Sequence, residues 1–216
     1  MPAMRTSPLL LLQTWFSPAF PVGSFGYSHG LEQAIADGRV TTPAALEGWI
    51  AALLSHGGPW TDAVLFAAAH QADAPQDIAD LAEALAPSRE RHAETMGQGN
   101  AFLAALAAWP EFRAALAQAP YPVATGAACA LAGIPLTDAL FAYLNAFASQ
   151  LISVAVRTVP IGQSQGLAVL SRLHPLIAAT ANRAAASSLD DLGACALVSD
   201  IAAMRHETLQ PRLFLS

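Results

Sequence analysis

The amino-acid sequence predicts an all-α protein, a single-domain bundle of about ten short helices. Its 216 residues include fifteen prolines and fourteen glycines, which divide the chain into short segments. Between these breakers the sequence is rich in alanine and leucine, which favour helices. It has no strand-length alternation of apolar and polar residues, and no Asn-Gly or Asp-Gly pair joins two such strands. No internal repeat or low-complexity linker interrupts residues 1–216, so we expect one domain.

In the first half of the chain, capping and turn residues predict where the helices begin and end. We expect a helix over residues 25–37, with Ser24 as its N-cap and Gly38 as its stop. Thr42 is suited to cap a helix that starts at Pro43. Proline is favourable at the first helical position, because the N–H that it lacks would have no partner there. Another helix is expected after the Gly-Gly-Pro run that follows.

Further along the chain, similar signals predict four more helices. Ser88 can cap a helix whose polar start gives way to apolar residues. Thr137 can cap the most apolar helix, which covers about residues 138–157. Residues 163–186 and 194–206 are each expected to form a helix.

Two apolar stretches resemble targeting or membrane signals. The leucines at residues 9–12 resemble a signal peptide, but Gln13 and Pro18 make the apolar run too short. Between residues 113 and 157 the only charge is Asp138, yet prolines, glycines and polar side chains divide that region. We expect a buried helix pair or an interface there and no membrane span. The two cysteines provide no disulfide framework, which indicates a reduced, cytoplasmic protein.

The charged residues exclude several classes of function. All ten basic residues are arginine, so the chain has no lysine for a P-loop or for a pyridoxal Schiff base. The net charge of −6 is unfavourable for binding nucleic acid. Only 12% of the residues are charged and 54% are hydrophobic, a composition suited to permanent interfaces with other subunits.

Candidate metal and nucleotide sites are weak. The six histidines and two cysteines show no metal-ligand spacing, so we predict no preformed metal site within the chain. A metal site whose ligands come from two subunits is a separate possibility that this spacing does not address. Cys129 and Cys195 are expected to be small core residues. The M-G-Q-G-N run at residues 96–100 has no preceding strand and no third glycine, which favours a close helix contact or a kink.

One motif suggests an enzyme. Residues 162–166 read G-Q-S-Q-G and match the G-x-S-x-G nucleophile elbow, with Ser164 as the nucleophile. An acid at Asp190, Asp191 or Asp200 and then His206 follow in the order of an α/β-hydrolase triad. The elbow requires a strand that feeds a strained turn, and the sequence predicts no sheet. A serine hydrolase is therefore the alternative rather than the main prediction.

The two ends of the chain are unusual for helical segments. Residues 21–32 read P-V-G-S-F-G-Y-S-H-G-L-E and combine three glycines with several hydroxyls at a helix start. Residues 204–216 read M-R-H-E-T-L-Q-P-R-L-F-L-S and place apolar side chains where chain ends usually fray. A tail of this kind is expected to dock on the same chain or on another one.

These segments resemble the urease accessory protein F family, UreF. Residues 21–32 are similar to the family's P-x-G-x-F-x-Y-S-x-G-L-E, and P-I-G-Q at residues 160–163 is similar to its P-L-G-Q. The ending is similar to M-R-H-E-T…R-L-F-x-S. Leu209 and Leu215 depart from the family, which often has glutamine and arginine there.

The resemblance implies a UreF-like, non-enzymatic helical scaffold with no catalytic residues, no metal ligand set and no cofactor. It implies a homodimer that binds the accessory protein UreD (also called UreH) and recruits the nickel-carrying GTPase UreG. The assembly would deliver nickel to apo-urease and would modulate GTP hydrolysis. Within this scaffold, residues 207–216 are expected to be a partner-docking tail.

The leading hypothesis assigns partner contacts to both ends of the chain. Arg212 would pair with a partner carboxylate or carbonyls, and Phe214 would fill an apolar pocket. His206 and Glu207 are expected to be tail-docking groups rather than transient nickel contacts. A polar seam at an interface or along a nickel path would include Glu32. The full set of predicted partner-binding residues is Tyr27, Ser28, Glu32, Gln163, His206, Glu207, Arg212 and Phe214.

Overall fold

A computed structural model describes residues 6–193 and 195–215 of the chain. Within these ranges it contains ten α-helices and no β-strand, which confirms the predicted all-α fold. In chain order the helices are α1 (Pro8–Trp15), α2 (Leu31–Ala36), α3 (Pro43–His56), α4 (Gly58–Gln71), α5 (Gln76–Ala84), α6 (Arg89–Ala105), α7 (Tyr121–Leu131), α8 (Leu136–Thr158), α9 (Gln163–Ala185) and α10 (Leu197–His206). Short 3₁₀ turns cover Ser24–Gly26, Leu106–Ala108, Pro110–Phe112 and Leu189–Asp191.

The bundle is organised around α4 and α8. Helix α4 packs against α7, α3 and α9, and α8 packs against α9 and α2. A single hydrophobic core runs from Leu11 on α1 to Phe214 near the C-terminus, so the last residues belong to the same packing as the helices. Trp15, Phe66 and Phe102 are among its largest fully buried side chains.

Several predicted helix boundaries are confirmed by their hydrogen bonds. The Thr42 hydroxyl accepts the Ala45 N–H at 3.2 Å, and the Ser88 hydroxyl accepts the Arg91 N–H at 3.2 Å. Both are side-chain N-caps, which satisfy backbone donors that a helix start leaves unpaired. Helix α9 covers Gln163–Ala185, as the sequence predicts to within one residue.

The prediction of a helix over residues 25–37 is wrong in its first half. Ser24–Gly26 is a single 3₁₀ turn, and α2 begins only at Leu31. The reason is that His29 and Gly30 have φ of 52° and 74°, in the left-handed region that a right-handed helix cannot include. Ser24 is also not an N-cap, because Gly23 occupies that position and makes no side-chain hydrogen bond.

Three smaller expectations need correction. Helix α8 begins at Leu136, with Pro135 at the N-cap, so Thr137 lies inside the helix. Cys129 is buried as predicted, whereas Cys195 is exposed. Ala194, the predicted start of the last helix, lies outside the described residues, and α10 begins at Leu197. Helices α1 and α5 were not predicted from the sequence.

Helix α8 is the one helix in the described ranges that is long and apolar enough to cross a membrane by length and composition alone. Half of its most apolar window is buried against other helices. Both α7 and α8 lie in the region predicted to form a buried helix pair, but each has a different main neighbour. Helix α7 packs mainly on α4 and α6, and α8 packs mainly on α9.

Candidate functional site

The candidate site lies where the two ends of the chain meet. Residues 21–32, called the N-terminal motif, lie beside α10 and beside the segment after it, residues 207–215. We call this segment the C-terminal tail. The first turn of α6 contacts the tail from another side. The site is therefore assembled from three parts of the sequence that lie far apart.

Gly30 allows the motif and α10 to approach each other closely. A Cβ at this position would lie 2.8 Å from the backbone nitrogen of Ala203 and 3.1 Å from the carbonyl oxygen of Ser199. Glycine also tolerates the φ of 74° that ends the loop. The turn starts α2 at Leu31 and places Glu32 in its first turn, facing the tail.

Glu32 is the centre of the site. It is 7% exposed, and its Oε2 lies 2.8 Å from Nε2 of His206. The backbone N–H of Leu213 donates to Oε1 at 2.7 Å, and that of Phe214 donates to Oε2 at 3.1 Å. One carboxylate therefore holds both the end of α10 and two successive amides of the tail. Ser28, which is fully buried, accepts the backbone N–H of Glu32 at 3.4 Å.

A second carboxylate, Glu90 in the first turn of α6, completes this arrangement. Its Oε2 lies 3.3 Å from Nδ1 of His206, and its Oε1 accepts a hydrogen bond from Arg212 at 2.9 Å. At the rim, Arg89 and Glu207 are 4.0 Å apart. We call Glu32, Glu90, His206 and Arg212 the tail junction.

The last described residues continue along the N-terminal motif. Phe214 is 4% exposed, and the guanidinium of Arg157 lies 4.7 Å from its ring centroid. The Leu215 N–H donates to the carbonyl oxygen of Gly26 at 2.6 Å. Arg157 also donates to the carbonyl oxygen of Phe25 at 3.3 Å. The tail is thus held by main-chain hydrogen bonds, an aromatic anchor and charge.

A second set of charges lies deeper, next to the motif. Arg91 is 2.7 Å from Glu94 and 3.4 Å from Asp62. Nδ1 of His29 lies 3.1 Å from Arg91, and its Nε2 lies 3.0 Å from Glu94. The Tyr143 hydroxyl donates to Asp62 at 3.3 Å. We call these five residues the inner cluster.

Burial and mutual attraction set the ionisation of the inner cluster. Burial alone would raise the pKa of Glu94, but Arg91 and His29 outweigh it and lower this pKa to about 2. For Asp62 burial dominates and raises the pKa, although Arg91 opposes it. The pKa of Tyr143 is raised well above its ordinary value, mainly by burial and to a smaller extent by the negative charge of Asp62. Burial, and to a smaller extent the negative charge of Glu94, also raises the pKa of Tyr27.

The inner cluster forms part of the wall of a cavity of about 780 Å³. Aromatic residues also line it, among them Phe16 directly after α1, Tyr121 on α7 and Phe147 on α8. The charged groups of the cluster pair with one another, which favours a structural role over acid–base chemistry. Among the described residues no group of three His, Cys, Asp or Glu side chains is placed to hold a metal ion.

Large apolar side chains are exposed beside this site. On α10 they follow a helical stripe, with Leu197 63%, Ile201 46% and Met204 51% exposed. On the tail, Leu213 is 74% exposed. We call these four residues the apolar surface. Exposed apolar groups in such a set are typical of protein–protein contacts.

The structure brings most of the predicted residues together. Glu32, His206, Arg212 and Phe214 meet at the tail, where His206 contacts the carboxylates of Glu32 and Glu90. The carboxylate that pairs with Arg212 and the pocket that holds Phe214 both belong to the same chain. Partner contacts for these side chains stay a prediction.

The remaining predicted residues lie around this centre or apart from it. The Tyr27 carbonyl accepts a hydrogen bond from Gln150 at 3.0 Å, which fixes the motif to α8. Glu207 is exposed at the rim near Arg89. Gln163 is exposed in the first turn of α9, and its side chain takes no part in the hydrogen bonds of the described tail.

Sequence reasoning missed two groups that organise the site. Glu90 and Arg91 belong to the polar start predicted for the helix after Ser88, and in the structure they connect α6 to the tail junction and to the inner cluster. Their signal was the charged run directly after the Ser88 cap, which is conspicuous in a chain with few charges. Arg157 had no comparable signal, because a single arginine near a helix end is common.

The serine-hydrolase alternative lacks the geometry that it requires. Ser164 lies in the exposed first turn of α9, and no strand precedes it within the described ranges. The proposed base, His206, is fully buried, and both of its ring nitrogens face Glu32 and Glu90. The G-x-S-x-G match is a helix entry, in which Gln165 accepts the Gly162 N–H at 3.0 Å.

Comparison with known proteins gives one family. The UreF family model matches residues 40–174 of the chain. The chain is 52% identical over 214 residues to the urease accessory protein UreF of Rhizobium etli, covering 96% of each chain. It is 51% identical to the protein of the same name from Mesorhizobium japonicum, again over 96% of each. It is 48% identical to the urease accessory protein UreF 1 of Brucella canis, over 98% of this chain and 95% of the relative.

Proposed function

The chain belongs to the UreF family of urease accessory proteins, and from this premise we propose that it is a dimeric, non-catalytic scaffold for urease maturation. It links UreD (UreH) to the GTPase UreG while nickel is inserted into apo-urease. It acts in the cytoplasm as a single helical domain. The observation that carries this proposal is the docked C-terminal tail beside an exposed apolar surface.

The docked tail supports a role in binding UreD. Glu32 accepts two tail amides, and Phe214 is buried, so the tail is ordered before a partner arrives. Ordering a binding segment in advance reduces the entropy that is lost on association. Leu213, which lies between the anchoring contacts, is left 74% exposed and is available to a partner.

The stripe on α10 extends this surface. Leu197, Ile201 and Met204 are spaced at i, i+4 and i+7, so they lie along one side of the helix. The opposite side, which includes the buried Ala202 and Ala203, packs toward the N-terminal motif. A subunit that covered this stripe together with Leu213 would bury apolar area without disturbing the tail junction.

Within this proposal the residues of the motif act indirectly. Ser28 and Glu32 are buried, so they hold the tail in place instead of touching UreD. Arg212, which is partly exposed, pairs with Glu90 and is able to reach a partner group with its remaining donors. Gln163 and Glu207 are exposed and stay candidate contacts for the other subunits.

The chemistry of GTP belongs to UreG in this scheme. A chain without lysine cannot supply the phosphate-binding lysine of a P-loop. The scaffold therefore modulates GTP hydrolysis by contact with the GTPase. Nickel passes through the complex as cargo and needs no resident ligand set in this chain.

Co-expression with UreD and UreG tests the proposal. We expect the full chain to co-elute with both proteins in one complex. A chain ending at His206 should lose UreD and keep its helical circular dichroism spectrum, because α1–α10 end at that residue. The matched control is Leu167→Glu, which adds a charge at an exposed leucine on α9. UreD that co-elutes equally with the truncated chain would contradict the proposal.

A further inference from the structure

His29 has a backbone conformation that is unfavourable for a residue with a side chain. Its φ of 52° lies in the left-handed region, and it is the one non-glycine residue with a positive φ among those that the structure describes. This region is costly because it brings Cβ close to the following carbonyl oxygen. Such a residue persists only where its surroundings hold it, and residues of this kind are concentrated at functional sites.

The strained residue lies in a tight turn directly before α2. The Leu31 N–H donates to the Ser28 carbonyl oxygen at 3.0 Å, and the two residues between them, His29 and Gly30, both have positive φ. These features are those of a type I′ turn. Glu32 follows at once, and its N–H donates to the Ser28 hydroxyl at 3.4 Å. The turn therefore sets the direction in which α2 starts and the position of Glu32.

The inner cluster holds the His29 side chain. On α6, Arg91 donates to Nδ1 at 3.1 Å, and Glu94 lies 3.0 Å from Nε2. These partners match a ring with a lone pair on Nδ1 and an N–H on Nε2. On α8, the ring of Phe147 packs edge to face with the imidazole at 4.8 Å between centroids. Asp62 on α4 lies 3.4 Å from Arg91. Three helices of the bundle thus fix the ring of one turn residue.

The position of Glu32 matters because its carboxylate accepts two amides of the C-terminal tail. The N–H groups of Leu213 and Phe214 donate to it at 2.7 Å and 3.1 Å. In the same turn, Gly30 lies so close to α10 that a Cβ on it would be 2.8 Å from the Ala203 nitrogen. A different backbone direction at this turn would therefore displace the carboxylate from the tail amides.

We infer that the inner cluster is a positioning device for the C-terminal tail. It holds His29 in the left-handed conformation, and this conformation places Glu32 where the tail docks. His29 is the positioning residue and acts through Glu32. The inference deepens the proposed function and rests on it in one respect, since the docked tail is the segment assigned there to UreD. It also gives the buried charges of the cluster a role other than acid–base chemistry.

Hydrogen exchange on the isolated full-length chain tests the inference. The amides of Leu213 and Phe214 report docking of the tail, and buried amides of α9 report global unfolding. His29→Ala removes the ring and keeps a Cβ, so the left-handed conformation is no longer held. We expect the protection of both tail amides, relative to the α9 amides, to fall by about tenfold or more in this variant.

Two further substitutions at this position separate the conformation from the side-chain contacts. His29→Gly also loses the ring, but glycine adopts a positive φ without strain, so its tail should be protected about fivefold better than that of His29→Ala. His29→Asn should fall between the two, because asparagine tolerates this region better than alanine. The order of the glycine and asparagine variants decides the question even if the alanine variant does not fold.

Gly133→Ala is the matched control. Gly133 has a φ of 68°, and a Cβ there would meet no atom within 4 Å, so the substitution adds left-handed strain without a clash. It lies before α8, at the opposite end of that helix from Arg157, which contacts the tail. Tail protection relative to α9 should therefore stay at the parental value.

Two results would overturn the inference. One is parental tail protection in His29→Ala. The other is an equal loss in the alanine, asparagine and glycine variants, since the left-handed conformation would then have no part in docking. UreD is absent from these measurements, so their failure would leave the proposed function standing. A failure of UreD to co-elute with the parent chain would likewise leave the positioning role of His29 standing.

Discussion

Glu32 and His206 are 174 positions apart in the sequence, and their side chains meet at 2.8 Å in the interior. This contact joins α2 to the end of α10. The same carboxylate binds the amides of Leu213 and Phe214, so the position of the tail depends on it. The contact therefore connects the two ends of the chain through one buried charge.

Replacing Glu32 tests how strongly the tail depends on this carboxylate. Glu32→Gln keeps the size of the side chain and removes its charge. The change weakens three buried contacts, those with His206 and with the amides of Leu213 and Phe214, so we expect the free energy of unfolding to fall by about 2–4 kcal/mol. Urea denaturation measures this loss. Glu111→Gln, at an exposed site, should change stability by less than about 0.5 kcal/mol.

The tail itself contains a matched pair of side chains. Phe214 is 4% exposed and Leu213 is 74% exposed, although they are neighbours. Phe214→Ala should lower the free energy of unfolding by about 3 kcal/mol, because it empties a buried aromatic site and removes the contact with Arg157. Leu213→Ala should leave stability within about 0.5 kcal/mol. Equal losses in thermal or urea unfolding would show that the tail is not anchored by Phe214.

The inner cluster predicts an acid dependence of stability. The pKa of Glu94 is lowered from 4.5 to about 2 in the folded chain. Ionised Glu94 therefore stabilises the fold above about pH 4.5, and this contribution is lost as the pH falls from there towards 2. A shift of this size corresponds to about 3 kcal/mol. Asp62, whose pKa is raised, contributes with the opposite sign.

Glu94→Gln should remove this dependence. We expect the variant to be less stable than the parent chain by about 3 kcal/mol at neutral pH. The difference should shrink steadily below about pH 4.5, since the parent chain then loses the same charge. Urea unfolding at a series of pH values gives both curves. A constant gap between them at all pH values would mean that Glu94 acts through packing alone.

The apolar surface should matter for binding and not for folding. Ile201→Glu introduces a charge at a side chain that is 46% exposed on α10. We expect it to abolish co-purification with UreD, because an unpaired charge would be buried at the interface, while the melting temperature changes little. Leu167→Glu, at a leucine 66% exposed on α9, is the control and should retain UreD. Loss of UreD in both variants would argue against a localised surface.

Local signals in the sequence predicted much of the fold but little of the site geometry. The caps at Thr42 and Ser88 and the extent of α9 follow from short-range rules, and the structure confirms them. The start of the helix expected over residues 25–37 was not predicted correctly, since Gly30 is in a left-handed conformation and packs closely against α10, which is distant in sequence.

One member of the tail junction was not predictable, for the same reason. Its histidine, its arginine and one carboxylate lie in motifs with unusual composition. Glu90 belongs to an ordinary polar helix start, and its role depends on where α6 lies relative to the tail. Long-range pairing of this kind has no local sequence pattern, so a single sequence does not reveal it.

Two glycines on α6 provide a final test of the packing, because they share one helix and differ in surroundings. A Cβ at Gly99 would lie 1.9 Å from the Ala119 carbonyl oxygen, so the backbone before α7 would have to move. Gly99→Ala should lower the free energy of unfolding by about 3 kcal/mol or more. A Cβ at Gly97 would lie 3.7 Å from the Tyr27 hydroxyl, an ordinary contact. Gly97→Ala should therefore raise stability by up to about 1 kcal/mol through its helix propensity. Urea unfolding of the two variants should give opposite signs, and a stabilised Gly99→Ala would contradict the close approach of α6 to the start of α7.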